Sequence, residues 1–328
     1  MARAILPMPL SLTAMDIRAA LKEAMHRLRA ANVPSHTLAA ELLLMHALER
    51  DRTWLYTHPE APLEPAAAEK YFALIARRAA GEPTQYLTGK QEFWGLEFEV
   101  TRAVLIPRPE TEHVVEVALE RLGARGIKIN LATGAPSPPL RVADVGTGSG
   151  CLAVALAHEL PHAEIVATDI SAAALEVARR NAARRGVAER IRFLECNLLD
   201  GVMGDSSSAI GARHAVPLRR TDQELLDLIV SNPPYVARNE ASGLPREVRD
   251  HEPHSALFGG ATGVEIYGRL IEQAGALLRD RGILVLELGY NSAETVRGIL
   301  GSNPQWSELK ITNDLAGIPR VLSAEFHR

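Results

Sequence analysis

Arg141-Val142-Ala143-Asp144-Val145-Gly146-Thr147-Gly148-Ser149-Gly150 is an apolar run that ends on an acid and opens into glycines at every second position. The run reads as a strand, and the glycine loop reads as the turn that starts a helix. Working outward, strand, loop and helix alternate. Strands are expected near 141–145, 164–168, 191–196, 226–231 and 283–288, with a closing hairpin near 307–313 and 320–326. This alternation predicts an α/β fold, a seven-stranded and mostly parallel sheet with helices on both faces.

The glycine loop has a chemical reading of its own. Glycines at a strand end allow backbone amides to approach a ligand beside the positive end of a helix. The dinucleotide fingerprint is G-x-G-x-x-G, built around a pyrophosphate. Here Gly146, Gly148 and Gly150, separated by Thr147 and Ser149, are spaced G-x-G-x-G, and Asp144 precedes them. An acid at that place suits a cationic or amino-acid ligand better than a phosphate. About 20 residues on, Asp169 ends the next strand, followed by Ile170, where an acid can accept both hydrogens of a ribose diol. Asp169 could instead cap the following helix, but Ser171 can do that alone. Asn197 and Leu198 end the third strand beside the same crevice.

The fourth strand, Leu228-Ile229-Val230-Ser231, runs into Asn232-Pro233-Pro234-Tyr235. Two prolines cannot continue a central strand, so the backbone leaves the sheet and turns its carbonyls into the crevice. The Asn232 side-chain oxygen and the Pro233 carbonyl can accept the two hydrogens of an NH2 group, and Tyr235 offers a flat face for stacking. A plain Pro-Pro turn at a strand end is the alternative reading.

Before the sheet, Ile17, Ala20, Leu21, Ala24, Met25 and Leu28 recur at helical spacing, and Thr13 with Asp16 could form a capping box. A second helix from Pro34-Ser35 carries Leu38, Leu42, Met45 and Leu48. A third, from about Pro65 to Arg78, presents Tyr71, Phe72, Leu74 and Ile75. Between Gln85 and Pro107 the period shortens to β-type runs, with Phe93, Leu96, Phe98 and Val100 followed by Val104, Leu105 and Ile106, which suggests a hairpin. Thr111 can cap the helix that runs to about Leu122. The expected organisation is a helical domain over 1–84, a hairpin linker over 85–107 and the sheet domain over 108–328. The loop 126–140 and the charged, serine-rich stretch 201–223 read as surface segments.

Composition narrows the function. A net charge of −4, from 36 Lys and Arg against 40 Asp and Glu, makes no field that would gather nucleic acid. The two cysteines, Cys151 and Cys196, have no metal-ligand spacing, and reduced thiols in the cytoplasm are the simplest reading. No metal is expected. The apolar run Ile5 to Leu10 is short and broken by prolines, so no membrane segment is expected.

The acid ahead of G-x-G-x-G, the diol-binding acid and the open sheet jointly resemble class I S-adenosylmethionine-dependent methyltransferases, with their Rossmann-like sheet. The resemblance implies S-adenosyl-L-methionine as cofactor. It assigns Asp144 and the Gly146-to-Gly150 loop to the methionine part, Asp169 to the ribose, and Asn197 with Leu198 to the adenine. Position 197 usually carries Asp in this class, and Asn forgoes a charge-assisted bond. The tetrad Asn232 to Tyr235 resembles that of enzymes that methylate planar amino groups, either exocyclic amines of DNA bases or glutamine in proteins.

Further motifs separate these two. Gly81-Glu82-Pro83, Gln85-Tyr86, Gly89, Glu92-Phe93-Trp94-Gly95 and Leu105 through Glu112 resemble the peptide chain release factor glutamine methyltransferase family. So do His251-Glu252-Pro253, Ala256 to Gly260, and Asp314-Leu315-Ala316-Gly317. The implied substrate is the glutamine of the Gly-Gly-Gln loop in class I release factors, with the helical domain helping to dock the factor and no direct nucleic-acid binding. Ala261-Thr262-Gly263 departs from the family, which often has an acid before that glycine. The alternatives are another protein glutamine, as in a ribosomal protein, a nucleic-acid amine, or a binding module without catalysis.

Overall fold

The structure is a computed structural model and describes residues 15–125, 139–204 and 225–328. Ile5 to Leu10, Thr13, and most of the 126–140 and 201–223 segments lie outside them. The chain forms two compact units. The first holds residues to Gly89 together with Arg246–His251, and the second holds Lys90–Pro245 and Glu252–Arg328.

The first unit contains helices α1 (Ile17–Ala30), α2 (His36–Leu48), α3 (Arg52–Thr57), α4 (Pro65–Ala79) and α5 (Thr84–Thr88). Asp16 caps α1 directly, its carboxylate accepting from Ala19 N at 2.7 Å. Asp51 does the same for α3, accepting from Trp54 N at 2.7 Å. In α2 the buried face differs from the expected one. Ala39, Ala40, Leu43 and Leu44 turn inward, while Leu38 and Leu42 are 46% and 36% exposed. The inward face is the one small enough for Tyr71 of α4 to close on, with its hydroxyl donating to Ala40 O at 3.0 Å. Leu38 and Leu42 share a helix side with each other, not with that contact. The stretch expected to begin the hairpin at Gln85 is helical as α5.

The second unit opens with the hairpin β1 (Lys90–Phe93) and β2 (Leu96–Glu99), turned by Trp94 and Gly95, both at positive φ. Val104, Leu105 and Ile106 form no strand; they belong to an irregular stretch held by hydrogen bonds described below. Then come α6 (Glu112–Ala124), β3 (Arg141–Val145), α7 (Cys151–Glu159), β4 (Glu164–Asp169), α8 (Ala172–Arg184), β5 (Ile191–Glu195), α9 (Asp200–Gly204) and β6 (Leu226–Ser231). After β7 (Val236–Ala237), α10 (Arg246–His251) belongs to the first unit. The chain ends with α11 (His254–Leu257), β8 (Phe258–Gly260), α12 (Glu265–Leu277), β9 (Leu278–Glu287), α13 (Ala293–Gly301), β10 (Trp306–Asn313) and β11 (Pro319–Phe326).

The main sheet has seven strands in the order β10-β11-β9-β6-β3-β4-β5. β3, β4, β5, β6 and β9 are parallel, and β11 and β10 close the edge antiparallel. Successive strand residues point to opposite faces. Val142, Leu228, Val230 and Val285 pack with α6, α7 and the hairpin rings Phe93 and Phe98. Ala143, Ile229, Leu284 and Leu286 pack with α12 and α13. Both faces are apolar, as a covered parallel sheet requires.

Asn181 of α8 is a buried polar anchor in this unit. Its Oδ1 accepts from Glu99 N at 2.7 Å, and its Nδ2 donates to Glu99 O at 3.0 Å and Ser149 O at 2.9 Å. One side chain therefore joins the end of the hairpin to the glycine loop. Asn181→Ala leaves these buried backbone groups unpaired and should lower stability by about 2–4 kcal/mol. Urea unfolding followed by circular dichroism measures this, and a shift within about 0.5 kcal/mol would contradict it.

Candidate active site

Strand order reverses between β3 and β6, and in open α/β sheets ligands bind at that point, outside the carboxyl ends of the strands. A cleft of ≈ 230 Å³ lies there. Of the residues singled out in the sequence, Gly146, Thr147, Gly148, Ser149, Asp169, Ile170, Asn197, Leu198, Asn232 and Pro234 line it. Asp144 is buried, and Gly150, Pro233 and Tyr235 are, like it, not among the lining residues.

The glycine loop is not an anion cradle. Gly146 N and Thr147 N both donate to Thr168 O at 2.9 Å, and Gly148 N donates to the Asp169 carboxylate at 2.9 Å. Its amides are spent on the neighbouring strand before any ligand arrives. What the loop offers is space, because a Cβ built on Gly146 or Gly148 meets no atom within 4 Å. Both glycines have positive φ, which confines the sharp turn to residues without a side chain.

Asp144 holds this loop from behind. It is fully buried and accepts from Thr147 Oγ1 at 2.6 Å and Ala153 N at 3.1 Å, while its Oδ1 is buried without a hydrogen-bond partner among the described residues. Burial pushes its carboxyl up to about 7, against the pull of those two donors. Asp169 faces the cleft instead. Each of its oxygens takes one backbone donor, Oδ2 from Gly148 N and Oδ1 from Ser171 N at 2.9 Å, so each retains a lone pair for a hydroxyl. Ser171 caps α8 through its own hydroxyl, which accepts from Ala174 N at 3.2 Å. Beside Asp169, Ile170 is exposed despite its size, and Leu198 holds a positive φ of 53°. For a bulky residue that conformation is strained, and strain of this kind gathers at ligand-binding turns.

Asn232 leaves β6 with its Nδ2 donating to Thr111 Oγ1 at 3.0 Å. Thr111 therefore does not cap α6, as the sequence suggested; its hydroxyl is turned into this contact. The carbonyl oxygen of Asn232 is the end left for a ligand. The carbonyls of Pro234 and Tyr235 are tucked against Gly259 and Gly263, where a Cβ would approach them to 2.4 Å and 2.3 Å. The Tyr235 ring lies on Gly289 and its hydroxyl donates to Glu287 Oε1 at 3.4 Å, so the ring gives no stacking face to the cleft.

Sequence reasoning missed one wall. Ala103, Val104, Leu105 and Pro107 line the cleft, and so do Pro253, Ser255 and Ala256. Glu252, almost fully buried, ties the two stretches by accepting from Ile106 N at 3.4 Å and pairing with Arg108. The prolines around Arg108 were the available signal, since a stretch so stiffened has a shape to keep.

The family model described as PrmC N-terminal domain matches residues 19–89, and the one described as methyltransferase domain matches residues 142–226. A release factor glutamine methyltransferase from Koribacter versatilis is 42% identical over 308 residues, 94% of this chain and 98% of the relative. One from Moorella thermoacetica is 42% identical over 310 residues, again 94% and 98%. The chain belongs to the release factor glutamine methyltransferase family. It is an enzyme, and the transfer of a methyl group is its chemistry. Among solved structures, the hMettl16 catalytic domain in complex with the MAT2A 3'UTR hairpin 6 has a TM-score of 0.50 at 17% identity, covering 78% of this chain and 82% of that one. It shares the fold alone. No helix among the described residues of this methyltransferase is long and apolar enough to cross a membrane.

The buried acid behind the loop makes a prediction. A carboxyl whose pKa is raised on folding favours the fold most below its unfolded pKa, and that advantage is lost as pH rises toward its folded pKa. For Asp144 the window runs from about 4 to about 7. Asp144→Asn keeps an acceptor for Thr147 and Ala153 without the charge. Its urea midpoint relative to wild type should therefore climb across that window and level off above it. A difference independent of pH would show that Asp144 carries no such burden.

Proposed function

We propose that this enzyme transfers a methyl group from S-adenosyl-L-methionine to the side-chain amide nitrogen of the glutamine in the Gly-Gly-Gln loop of class I peptide chain release factors. The observation that carries the reading is the Asn232 amide, anchored by its nitrogen on Thr111 with its oxygen left for a ligand, in the same cleft as the glycine loop and Asp169. Family membership supports the release factor as substrate. The N-terminal domain over 1–84 would help to dock it, in the cytoplasm.

The residues suit the cofactor. Asp169 has one lone pair per oxygen for a ribose diol, Ile170, Asn197 and Leu198 offer an apolar and hydrogen-bonding border for the adenine, and Gly146 and Gly148 leave open space for the methionine part. Asp144 serves that part indirectly, by holding Thr147. When bound, S-adenosylmethionine supplies an electrophilic methyl on a sulfonium sulfur.

The target nitrogen is a poor nucleophile because its lone pair is delocalised into the carbonyl, as the rotation barrier of ~18–20 kcal/mol about amide bonds illustrates. Two hydrogen bonds of about 1–3 kcal/mol each cannot cancel that delocalisation. Asn232 Oδ1 and the Pro233 carbonyl instead take the two NH2 hydrogens, raise electron density at nitrogen and hold it in line for attack. Pro234, in the cleft wall, and Tyr235, packed behind it, keep this backbone turn in place. No protein nucleophile is needed, and a proton leaves the nitrogen after transfer.

Asn232→Ala should fold, bind cofactor and lose roughly 10²-fold or more in rate, as removal of one preorganised polar group does elsewhere. Retained turnover would make Asn232 structural. Asp169→Ala should raise the dissociation constant for S-adenosylmethionine in calorimetry, and an unchanged constant would remove the ribose role. Mass spectrometry of a co-expressed class I release factor should find one methyl on the loop glutamine. Tritium from labelled cofactor entering an oligonucleotide but no release factor would overturn the reading.

A further inference from the structure

We propose that Tyr290 and Leu315 form an apolar ridge beside the cleft, on which the release factor seats an apolar patch flanking its Gly-Gly-Gln loop. The inference rests on the release factor being the substrate, and concerns where that protein lies once its glutamine has entered the cleft.

Single apolar side chains on a surface are ordinary, and they become informative where they gather. Among the described residues of the sheet unit, the exposed large hydrophobics are Ile170, Tyr290 and Leu315. All three stand at the edge of the sheet that carries the cleft. Ile170 follows β4, Tyr290 lies just past β9, and Leu315 sits in the turn between β10 and β11. That turn reaches the same edge because Val321 pairs with Glu287, and Leu288 N donates to Arg320 O at 2.8 Å. Ile170 lines the cleft and borders the space given to the adenine, whereas Tyr290 and Leu315 lie outside the lining. These two have no work in the site as described.

Both are held outward by finished turns. Leu315, fully exposed, stands in a turn that Asp314 N closes by donating to Ile318 O at 2.8 Å. The Asp314 carboxylate braces it, Oδ1 accepting from Ala316 N and Ile318 N at 2.9 Å and Oδ2 from Arg320 Nε at 3.1 Å. Tyr290, 73% exposed, stands between Gly289 and Asn291, which has a φ of 63°. Ser292 closes that turn, its hydroxyl donating to Gly289 O at 2.9 Å. Backbone ordered in this way loses little freedom when a partner arrives. Exposed to this degree, neither side chain is needed by the core.

Strand order names the occupant. From the glycine loop after β3, the edge passes Asn232 after β6, then Gly289 and Tyr290 after β9, then the turn that leads into β11. Pro234 lines the cleft, and the ring of Tyr235, the next residue, lies on Gly289. The ridge therefore continues the Asn232 side of the cleft, while Asp169 and β4 lie on the other. With neighbouring strands about 4.8 Å apart, β11 is ~10 Å from β6, a distance that about three extended residues cover. A glutamine presented to Asn232 by a protein loop carries its flanking residues across this ground. The glycines of Gly-Gly-Gln have no side chain to offer, so the contact falls to residues beyond the motif. Tyr290 and Leu315 give up water most favourably to apolar ones, and tyrosine is among the side chains that anchor interfaces.

The test measures initial rates of tritium transfer by the full-length enzyme to a purified class I release factor, at saturating S-adenosylmethionine. Tyr290→Ser and Leu315→Ser should each raise KM for the factor about tenfold, with kcat within about twofold of wild type. Calorimetry should find the same dissociation constant for S-adenosylmethionine in both variants as in wild type. Leu315→Met keeps an apolar tip and should bring KM back to within about twofold of wild type. Wild-type KM in both serine variants, or a lowered kcat at unchanged KM, would overturn the ridge and leave the release factor as substrate. A wild type that transfers to no release factor would overturn the substrate and, with it, the occupant named here. A wild-type dimer in analytical ultracentrifugation that both serine variants dissociate would make the occupant a second copy of the chain and overturn the proposal as well. If Leu315→Ser does not fold, as judged by circular dichroism, Tyr290→Ser on its separate turn decides.

Discussion

The pairing of β3 with β6 is the constraint on which the site depends. Val145 lies opposite Ser231 in the parallel register, and Ser231 Oγ donates to Val145 O at 2.7 Å. The next residues on the two strands are Gly146 and Asn232. A parallel sheet therefore delivers the glycine turn and Asn232 to the same edge, one strand spacing apart, though 86 residues separate them in sequence. Because the two faces of the sheet pack into different apolar clusters, a slip of one residue would exchange the side chains that each cluster is built to hold, and the register is fixed by the whole core.

Around this edge the backbone is finished internally. The glycine-loop amides bond to Thr168 and Asp169, and the carbonyls of Pro234 and Tyr235 are closed off by Gly259 and Gly263. Glu265 holds the turn between those glycines by accepting from Thr262 N at 2.9 Å. Asp169 and Asn232 are among the residues that bring side-chain acceptors to the cleft. Two buried carboxyls, Asp144 and Glu287, stand behind these groups with their proton affinities raised by burial. Asp144 acts through a threonine, Thr147. A hydroxyl is suited to this, since it relays an orientation without bringing a charge into the cleft.

Much of this was legible in the chain. All seven strands of the main sheet were placed within a few residues, because buried parallel strands are short apolar runs bounded by glycine and polar turns. Asp169, Asn197 and Asn232, singled out because they sit at strand ends, all line the cleft. Errors arose where a residue's partner is distant. Leu38 and Leu42 fit a helical stripe, yet the bundle buries the adjacent stripe of Ala39, Ala40, Leu43 and Leu44. Thr111 fits a helix cap, but its hydroxyl is claimed by Asn232, 121 residues away. Tyr235 looked like a stacking platform, and its ring is spent on packing against Gly289.

The sequence by itself determined the order of strands and helices, the strand ends that carry polar residues, and the family to which the chain belongs. These depend on periodicity, turn chemistry and motif spacing, all of which are local. Only the tertiary structure decided which of those residues face the cleft and which stand behind it. Asp144 and Asp169 are both acids at strand ends, and nothing near either in the chain separates them. One is buried against Thr147 and the other opens to the cleft because helices and neighbouring strands cover the first and leave the second at the edge. Hydrogen-bond partners were decided in the same way, since Thr111, whose hydroxyl accepts from the Asn232 amide nitrogen, is brought within 3.0 Å by folding alone.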